Sequence, residues 1–550
     1  MITLLPFLRS ALHSCRLHIS VVNSRANSCH EFWARVHALH IHVRACSRSF
    51  TALMWRSQRL RRSRSLFAPL PLSFSREHSS LQCVRACASI NRTCVADRMS
   101  LFAELGRQAH ASPHGAVSFW FAHYLCVAIS DPVSASVVLR SSFDKWPITH
   151  FMRHLLGNGA VFGDEEIWRL RRKILNPIFS SKYHDNYVQV FERNNKIFMQ
   201  ELARAAGKGD FSMWGYFSSY AMDSAFDMSF GENLNAQRHP NHPFAVAFLD
   251  YFEECGVRIC QPWLFSAAVY DLLPAGARQE RRQRLMWDVV ENLIHKKKQE
   301  SKKRNEQNVV HVNTNIRSGE FKSFLDLLIE YSGGDAGYTD TELREELLMI
   351  ILGATDTSAT SACFAAVLLA NHPPVQDKVY EEIQNMLGGS ERPVSLADLA
   401  SLKYLDAVVR EAMRLYPPVP VFLRRCTKAV DLPSDITLPE GCEVMLNIWG
   451  IHRNPRHWGA DADEFRPERF LSADAHQLAA FMPFGHGPRS CTGMRLALAS
   501  LKLSLAEITR RYRLLPAAGY RYSAAEPLRV SFELLLKHVH DFKVQLEHRA

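Results

Sequence analysis

One cysteine framed by turn-forming residues constrains this chain more than any other feature. The stretch Phe481-Met482-Pro483-Phe484-Gly485-His486-Gly487-Pro488-Arg489-Ser490-Cys491-Thr492-Gly493 stands directly before an apolar helical run. Gly485, Gly487 and Pro488 permit a tight turn with unusual backbone angles, so Cys491 projects from a rigid loop. From Met494 to Tyr512, Leu498, Leu501, Leu505 and Ile508 recur at steps of three and four, which predicts a helix starting at or just after the cysteine. A helix N-terminus there favours a thiolate through its dipole and unpaired N–H groups. The plain alternative is a buried cysteine packing as a small hydrophobe. The surrounding residues argue instead for a soft metal ligand, with Gly493 leaving room for a flat macrocycle.

Three further patterns can be read from the residues. Thr339-Asp340-Thr341-Glu342 is a capping box that opens a long helix running to a stop at His372-Pro373-Pro374. Within it, Gly353, Asp356, Thr357 and Thr360 are spaced i, i+3, i+4 and i+7, which predicts one shared polar face. Back-bonding of the threonines to helix carbonyls is the bland reading of such residues. Second, Glu411 and Arg414 face each other at i, i+3, and Arg469 follows in Phe465-Arg466-Pro467-Glu468-Arg469-Phe470. Third, Trp168 and Arg172 stand at i, i+4 within Trp168-Arg169-Leu170-Arg171-Arg172-Lys173, where Arg171 and Lys173 read as a solvated face or a docking surface for an acidic partner.

Phe484, Gly487, Arg489, Cys491 and Gly493 stand where the cytochrome P-450 family has its haem-loop residues, and the other patterns are similar to that family's companions in the same order. The resemblance implies a mainly α fold with small β-sheets, with haem b between the long helix and the helix after the cysteine loop. It implies Cys491 as the axial thiolate, which favours O–O cleavage. Gly353-Ala354-Thr355-Asp356-Thr357-Ser358 resembles the oxygen groove, with Ala354 where glycine is usual; there Thr357 and Asp356 relay protons. Trp168, Arg172, Arg489 and, of the pair Arg424-Arg425, Arg424 are implied as propionate neighbours, guanidinium being suited to carboxylate. Glu411, Arg414 and Arg469 are implied as a buried structural network.

Finer likeness points to the fourth family, the fatty-acid ω-hydroxylase group. It is carried by Ile174-Leu175-Asn176-Pro177-Ile178-Phe179, the segment from Gly231 to Gln237, Arg258-Ile259-Cys260-Gln261-Pro262-Trp263-Leu264 and Arg414-Leu415-Tyr416-Pro417-Pro418-Val419-Pro420. Many members of that group esterify haem to a glutamate at the position of Gly353, so noncovalent haem is expected here. His486 also departs from the small residues common there. The resemblance further implies NADPH used indirectly through NADPH-cytochrome P-450 reductase, cytochrome b5 as a second partner, and a lipophilic substrate: a fatty acid, terpenoid or foreign compound. The loops 141–162, 243–273 and 523–536 are expected to line the substrate pocket.

The N-terminal residues are a different material. Residues 1–98 contain fifteen arginines, no lysine and three acids, a net of +12, whereas the rest carries 51 basic and 52 acidic residues. The formal charge of +11 therefore belongs to this stretch, and no nucleic-acid partner is expected for the body. It also carries six of the thirteen cysteines, in no spacing typical of zinc sites, and a disulfide framework is not expected. We read 1–98 as an extension that is disordered or the product of a misassigned gene start, and 99–550 as the catalytic domain. The family implies the cytoplasmic face of the endoplasmic reticulum membrane, although only Met1 to Leu8 is apolar before Arg9, short of the roughly twenty residues of a membrane span. The Arg/Ser-rich, acid-poor leader makes a mitochondrial address the alternative. Residues 295–323 read as a solvated loop or helix end, and 522–545 as short strands with a turn.

Two other functions fit a haem thiolate: an isomerase or dehydratase working without a reductase, and a noncatalytic haem binder. The Asp356-Thr357 pair argues against both, since neither needs protons delivered to dioxygen.

Overall fold

The computed structural model describes residues 97–550 except 122–123, 260, 262–263, 311–320, 389, 391, 520–521, 524–525 and 550. The N-terminal extension up to residue 96, and Pro262 and Trp263, lie outside the described residues. The main helices are Asp97–Ala111 (α1), Glu165–Ile178 (α2), His184–Ala203 (α3), Met213–Phe230 (α4), Pro243–Ile259 (α5), Pro274–Val310 (α6), Asp340–Asn371 (α7), Lys403–Leu415 (α8) and Met494–Arg511 (α9). A four-stranded sheet is built from Ala116–Phe121 (β1), Tyr124–Ile129 (β2), Phe422–Arg425 (β3) and Glu443–Leu446 (β4) in the order β1-β2-β4-β3, parallel only between β2 and β4. Near the C-terminus, Val530–Glu533 (β5) and Leu535–His538 (β6) form an antiparallel hairpin, in keeping with the short strands expected there.

Helix α7 is the axis of the molecule. Thr339 caps it: the hydroxyl accepts the Glu342 N–H at 3.2 Å while Glu342 accepts the Thr339 N–H at 2.9 Å, so two otherwise orphaned donors are satisfied reciprocally. From Ala359 to Ala370 every residue is buried, and α4 is its most extensive neighbour. Small residues such as Ala362, Ala365 and Ala366 let the neighbours close in, while Phe364 stacks on Tyr416 with centroids 4.7 Å apart. Each fully buried Leu or Phe here contributes about 1.5–3 kcal/mol. Although α7 is long and apolar enough to cross a membrane, two thirds of its apolar window is buried, as in a core helix.

Of the two alternatives for 295–323 the structure bears out the helix end over 295–310, and one other expectation needs correcting. The stretch from His295 continues α6 as helix to Val310, because Pro274–Val310 forms one 37-residue element; 311–320 lie outside the described residues. Arg171 is not a solvated or partner-facing cation: it is 5% exposed and reaches Glu345 at 2.9 Å, Glu346 at 3.1 Å and Glu342 at 3.6 Å on α7. One guanidinium thus fastens α2 to the first turns of α7, and burial pushes the carboxyl of Glu346 up to about 7 against the pull of Arg171.

Candidate active site

The cysteine loop is held by its own backbone. The Cys491 N–H donates to the Phe484 carbonyl at 2.9 Å, Ser490 N–H to Gly487 at 3.0 Å, and Gly485 N–H to Met482 at 3.0 Å. Gly485 and Gly487 have φ of +72° and +73°, and a Cβ on Gly487 would stand 2.9 Å from the Leu139 carbonyl oxygen, so only glycine fits. Gly487 therefore shapes the loop on its outer side and does not line the cavity, as a cofactor-contacting residue would. Cys491 precedes the N-cap Gly493 of α9 by two residues.

The accessible surface of Cys491 opens into a cavity of about 330 Å³. The surrounding protein still desolvates the sulfur, so burial raises the thiol pKa, opposed by the Gly493 N–H and by Arg172. The helix start therefore moderates the shift without reversing it. Phe484 and Gly493 share the Cys491 wall; Gly353, Ala354 and Thr357 of α7 contribute to the same cavity. A Cβ built on Gly353 meets nothing within 4 Å, and one on Gly493 meets only Phe179 at 3.9 Å and the Cys491 sulfur at 4.0 Å. Both glycines thus keep space open.

Thr357 Oγ1 donates to the Gly353 carbonyl at 2.6 Å, the back-bond expected of a helical threonine, while remaining on the cavity wall. Asp356 departs from the expected shared face. At about 100° per residue, Gly353, Ala354, Thr357, Ser358 and Ser361 fan around one side of α7, whereas Asp356 falls well off its centre. Its carboxylate is taken by Lys537 Nζ of β6 at 2.5 Å, in a separate cleft of about 220 Å³ with Trp214, Phe248 and Phe252. Thr360 is fully buried with its hydroxyl unpartnered. The loop expectations divide likewise. Lys145, Ala160 and Val161 line the main cavity, but no described residue of 243–273 or 523–536 does; Phe248, Phe252 and Glu533 line the second cleft instead.

Cations gather at one side of the main cavity. Trp168 stacks on Phe143 with centroids 5.3 Å apart, and the Arg489 guanidinium lies 4.6 Å from its ring centroid. Alternation along β3 turns Arg424 inward, 6% exposed, and leaves Arg425 outside, 3.8 Å from Glu443. Among the described residues, Arg172, Arg424 and Arg489 form no salt bridge, and the Nε atoms of Arg424 and Arg489 have no partner. Burial lowers Arg424 to about 10 and, with Arg424 adding repulsion, Arg489 to about 9. Sequence reasoning missed Lys145, which lines the same cavity; no motif surrounds it.

Behind the loop, Glu411 takes two hydrogen bonds from Arg414, at 2.7 and 2.8 Å, and one from Arg469 at 3.3 Å, with all three side chains buried. Arg414 also donates to the carbonyls of His452, Ala462 and Glu464, and Arg469 to those of Trp458 and Asp461. A second missed residue joins this network to the loop. His452 faces the Arg414 carbonyl through Nδ1 at 3.0 Å and accepts the Met482 N–H through Nε2 at 2.9 Å, which requires the neutral ring with its proton on Nδ1. Burial beside Arg414 lowers its pKa to about 3.

Residues 98–527 match the model of the family described as Cytochrome P450. The chain is 29% identical to cytochrome P450 4d2 of Drosophila melanogaster over 440 residues, 78% of this chain and 86% of that protein. It is 30% identical to cytochrome P450 4d8 of the same fly, covering 68% and 82%, and 28% identical to cytochrome P450 4V2 of Mus musculus, covering 72% and 76%.

Proposed function

Since the chain belongs to the cytochrome P450 family, with relatives in its fourth group, we propose that it inserts one atom of dioxygen into a lipophilic substrate, a fatty acid, terpenoid or foreign compound, using electrons from NADPH through a reductase. It is a monooxygenase of the haem-thiolate kind. The observation carrying this reading is that one cavity combines the Cys491 sulfur, the Thr357 hydroxyl and three guanidinium groups that, among the described residues, form no salt bridge. Haem is a flat apolar ring with two carboxylates and an iron that takes sulfur, so these residues fit it; when bound it supplies the site that activates dioxygen.

The residues divide the work by chemistry. Cys491 holds the iron, and its backbone-braced loop keeps the sulfur aimed. Trp168, Arg172, Arg424 and Arg489 receive the carboxylates, which supply the acidic partner the three arginines lack. Phe484, Gly493, Gly353 and Ala354 provide apolar contact and open space for the ring. Thr357 holds a proton at the cavity: its Oγ1 lone pairs accept from a water O–H, and rotation off the Gly353 carbonyl frees its own hydrogen to donate. Asp356, next in sequence to Thr357, is ion-paired to Lys537 in the separate cleft, so it joins proton delivery only when that pair opens and its carboxyl turns toward the cavity. Glu411, Arg414 and Arg469 support the loop and touch no substrate.

Cytochrome b5 is a second candidate donor, and the cytoplasmic face of the endoplasmic reticulum is the location this chemistry suits, a mitochondrial one being the alternative. The test is reconstitution with haem and reductase. A ferrous carbonyl band typical of thiolate ligation in wild type and absent in Cys491→Ala is expected, with NADPH-dependent product from a panel of fatty acids, terpenoids and xenobiotics. Rearrangement or dehydration of a lipid peroxide itself without NADPH, with no oxygen passed to a second substrate, would instead establish the isomerase reading, and a thiolate band with no turnover on any substrate the noncatalytic one.

A further inference from the structure

Two histidines that take no part in the chemistry above meet on the surface just ahead of the cysteine loop. His457 sits in the short helix Pro455–Trp458, and His476 in the short helix Ala475–Ala480 that leads into Phe481. Their Nδ1 atoms face each other at 3.3 Å, with the rings 19° from parallel and their centroids 5.3 Å apart. His476 is exposed and His457 half-buried, so solutes can reach the pair. Two imidazolium rings could not meet this way, because each would present a donor to the other. Burial lowers the His457 pKa; His476 and Arg456 add to the shift and Asp131 opposes it, so the ring keeps a lone pair to give. A ring-to-ring hydrogen bond is the plain reading of the contact, but 3.3 Å is long against the roughly 2.7–3.2 Å of ordinary N–H donors. Zinc binds imidazole nitrogen at about 2.0–2.1 Å, and two such nitrogens at a tetrahedral angle stand about 3.3–3.4 Å apart. The observed separation is thus the span of two ligands on one metal ion.

We propose that His457 and His476 form a two-histidine site for a borderline divalent metal ion of the zinc, nickel or copper kind. Imidazole suits these ions, whereas magnesium and calcium prefer oxygen. Among the described residues no group of three or more His, Cys, Asp or Glu side chains gathers around a metal position, so water fills the other coordination places. The Asp131 carboxylate, which caps the helix Pro132–Ser141 through the Ser134 N–H at 2.7 Å, adds a favourable negative field at His457. The site lies where it can matter to the loop. Phe481 stacks on His452 with centroids 5.7 Å apart, and Met482 donates its N–H to the same ring. His452 therefore holds this segment from inside, and a metal across His457 and His476 would clip it from outside. The inference stands apart from the haem reading.

The test uses the full chain reconstituted with haem and reads each histidine separately. Diethyl pyrocarbonate modifies neutral imidazole, and mass spectrometry of the digest reports the extent at every histidine; zinc ion is the probe. A ring held by metal has no lone pair left to react, so zinc should shield His457 and His476 together, with one shared midpoint, and a chelator should reverse it. In His476→Ala the zinc midpoint at His457 should rise about tenfold or more, and in His457→Ala that at His476 should do the same. Magnesium should shield neither. Absence of shielding in wild type overturns the proposal without any variant. So does shielding of one histidine alone, equal shielding by magnesium, or an unchanged midpoint at the remaining histidine in either variant. The ferrous carbonyl band of the same samples judges the haem reading separately.

Discussion

Two groups of arginines stand at the cysteine loop, one behind it and one at the cavity, and they are built on opposite principles. Around Glu411, Arg414 and Arg469 are answered by two carboxylates, those of Glu411 and Asp461, and by five backbone carbonyls. Around the cavity, Arg489 donates to the Val161 and Gly163 carbonyls and Arg424 to that of Leu423, but both keep orphaned Nε atoms, and among the described residues no carboxylate pairs with them, with Arg172 or with Lys145. The first group is complete as folded and braces the loop. The second is unfinished until an anion enters. Buried charge alone therefore does not tell a structural network from a binding site; what tells them apart is whether the hydrogen-bond inventory closes within the chain.

The contrast can be broken most forcefully through His452, the link between the closed network and the loop. Its folded pKa is depressed to about 3 whereas an unfolded histidine titrates near 6.5, so its contribution is full above pH 6.5 and lost as pH falls toward 3. Complete loss amounts to roughly 4–5 kcal/mol. Urea denaturation across that window should show His452→Gln with a shallower decline of stability with acidification than wild type; parallel slopes would deny His452 this role.

Next in size, Glu411→Gln leaves two guanidinium groups facing an uncharged amide in a dry site and is expected to cost about 3–5 kcal/mol. Thermal melts of apoprotein and reconstituted protein should both fall. A loss confined to the reconstituted form would mean that this network, too, depends on a ligand. Arg424→Met should behave oppositely: the apoprotein melts no lower, while haem affinity drops about tenfold, or ~1.4 kcal/mol, in competition with apomyoglobin. An apoprotein destabilised by this change would erase the distinction between the groups.

Two milder tests concern the cavity itself. Thr357→Ala should retain haem and shift NADPH oxidation toward peroxide, with product per NADPH reduced severalfold; an unchanged yield would remove Thr357 from proton delivery. Acidified-solvent extraction should strip the haem completely, since Gly353 offers no carboxyl for an ester.

What the sequence revealed and what it hid divide along the same physical line. The cysteine loop, the capped start of α7, helix α9 and the Glu411-Arg414 pair rest on local spacing and turn chemistry, and each stands where those rules predict. Asp356 shows the limit: a 3.6-residue period groups it with Gly353 and Thr357, but which sector of α7 meets the cavity is decided by α4, α9 and the hairpin packed around it. Arg171 sits in a basic run that reads as solvated, and only the approach of α2 to three glutamates of α7 buries it. Lys145 depends on a single bridge between residues 281 positions apart in sequence, Asp144 and Arg425, and no local pattern encodes that.

Gly353 carries a consequence for how such a cavity can diversify. Glycine inside a helix sacrifices roughly 0.5–1 kcal/mol relative to alanine, yet a methyl group at this position would touch no atom within 4 Å. The backbone is thus less stable than it need be at the one turn where Thr357 back-bonds. A descendant lineage can add bulk there, narrowing the room beside that hydroxyl and altering which molecules fit, while the helix grows firmer.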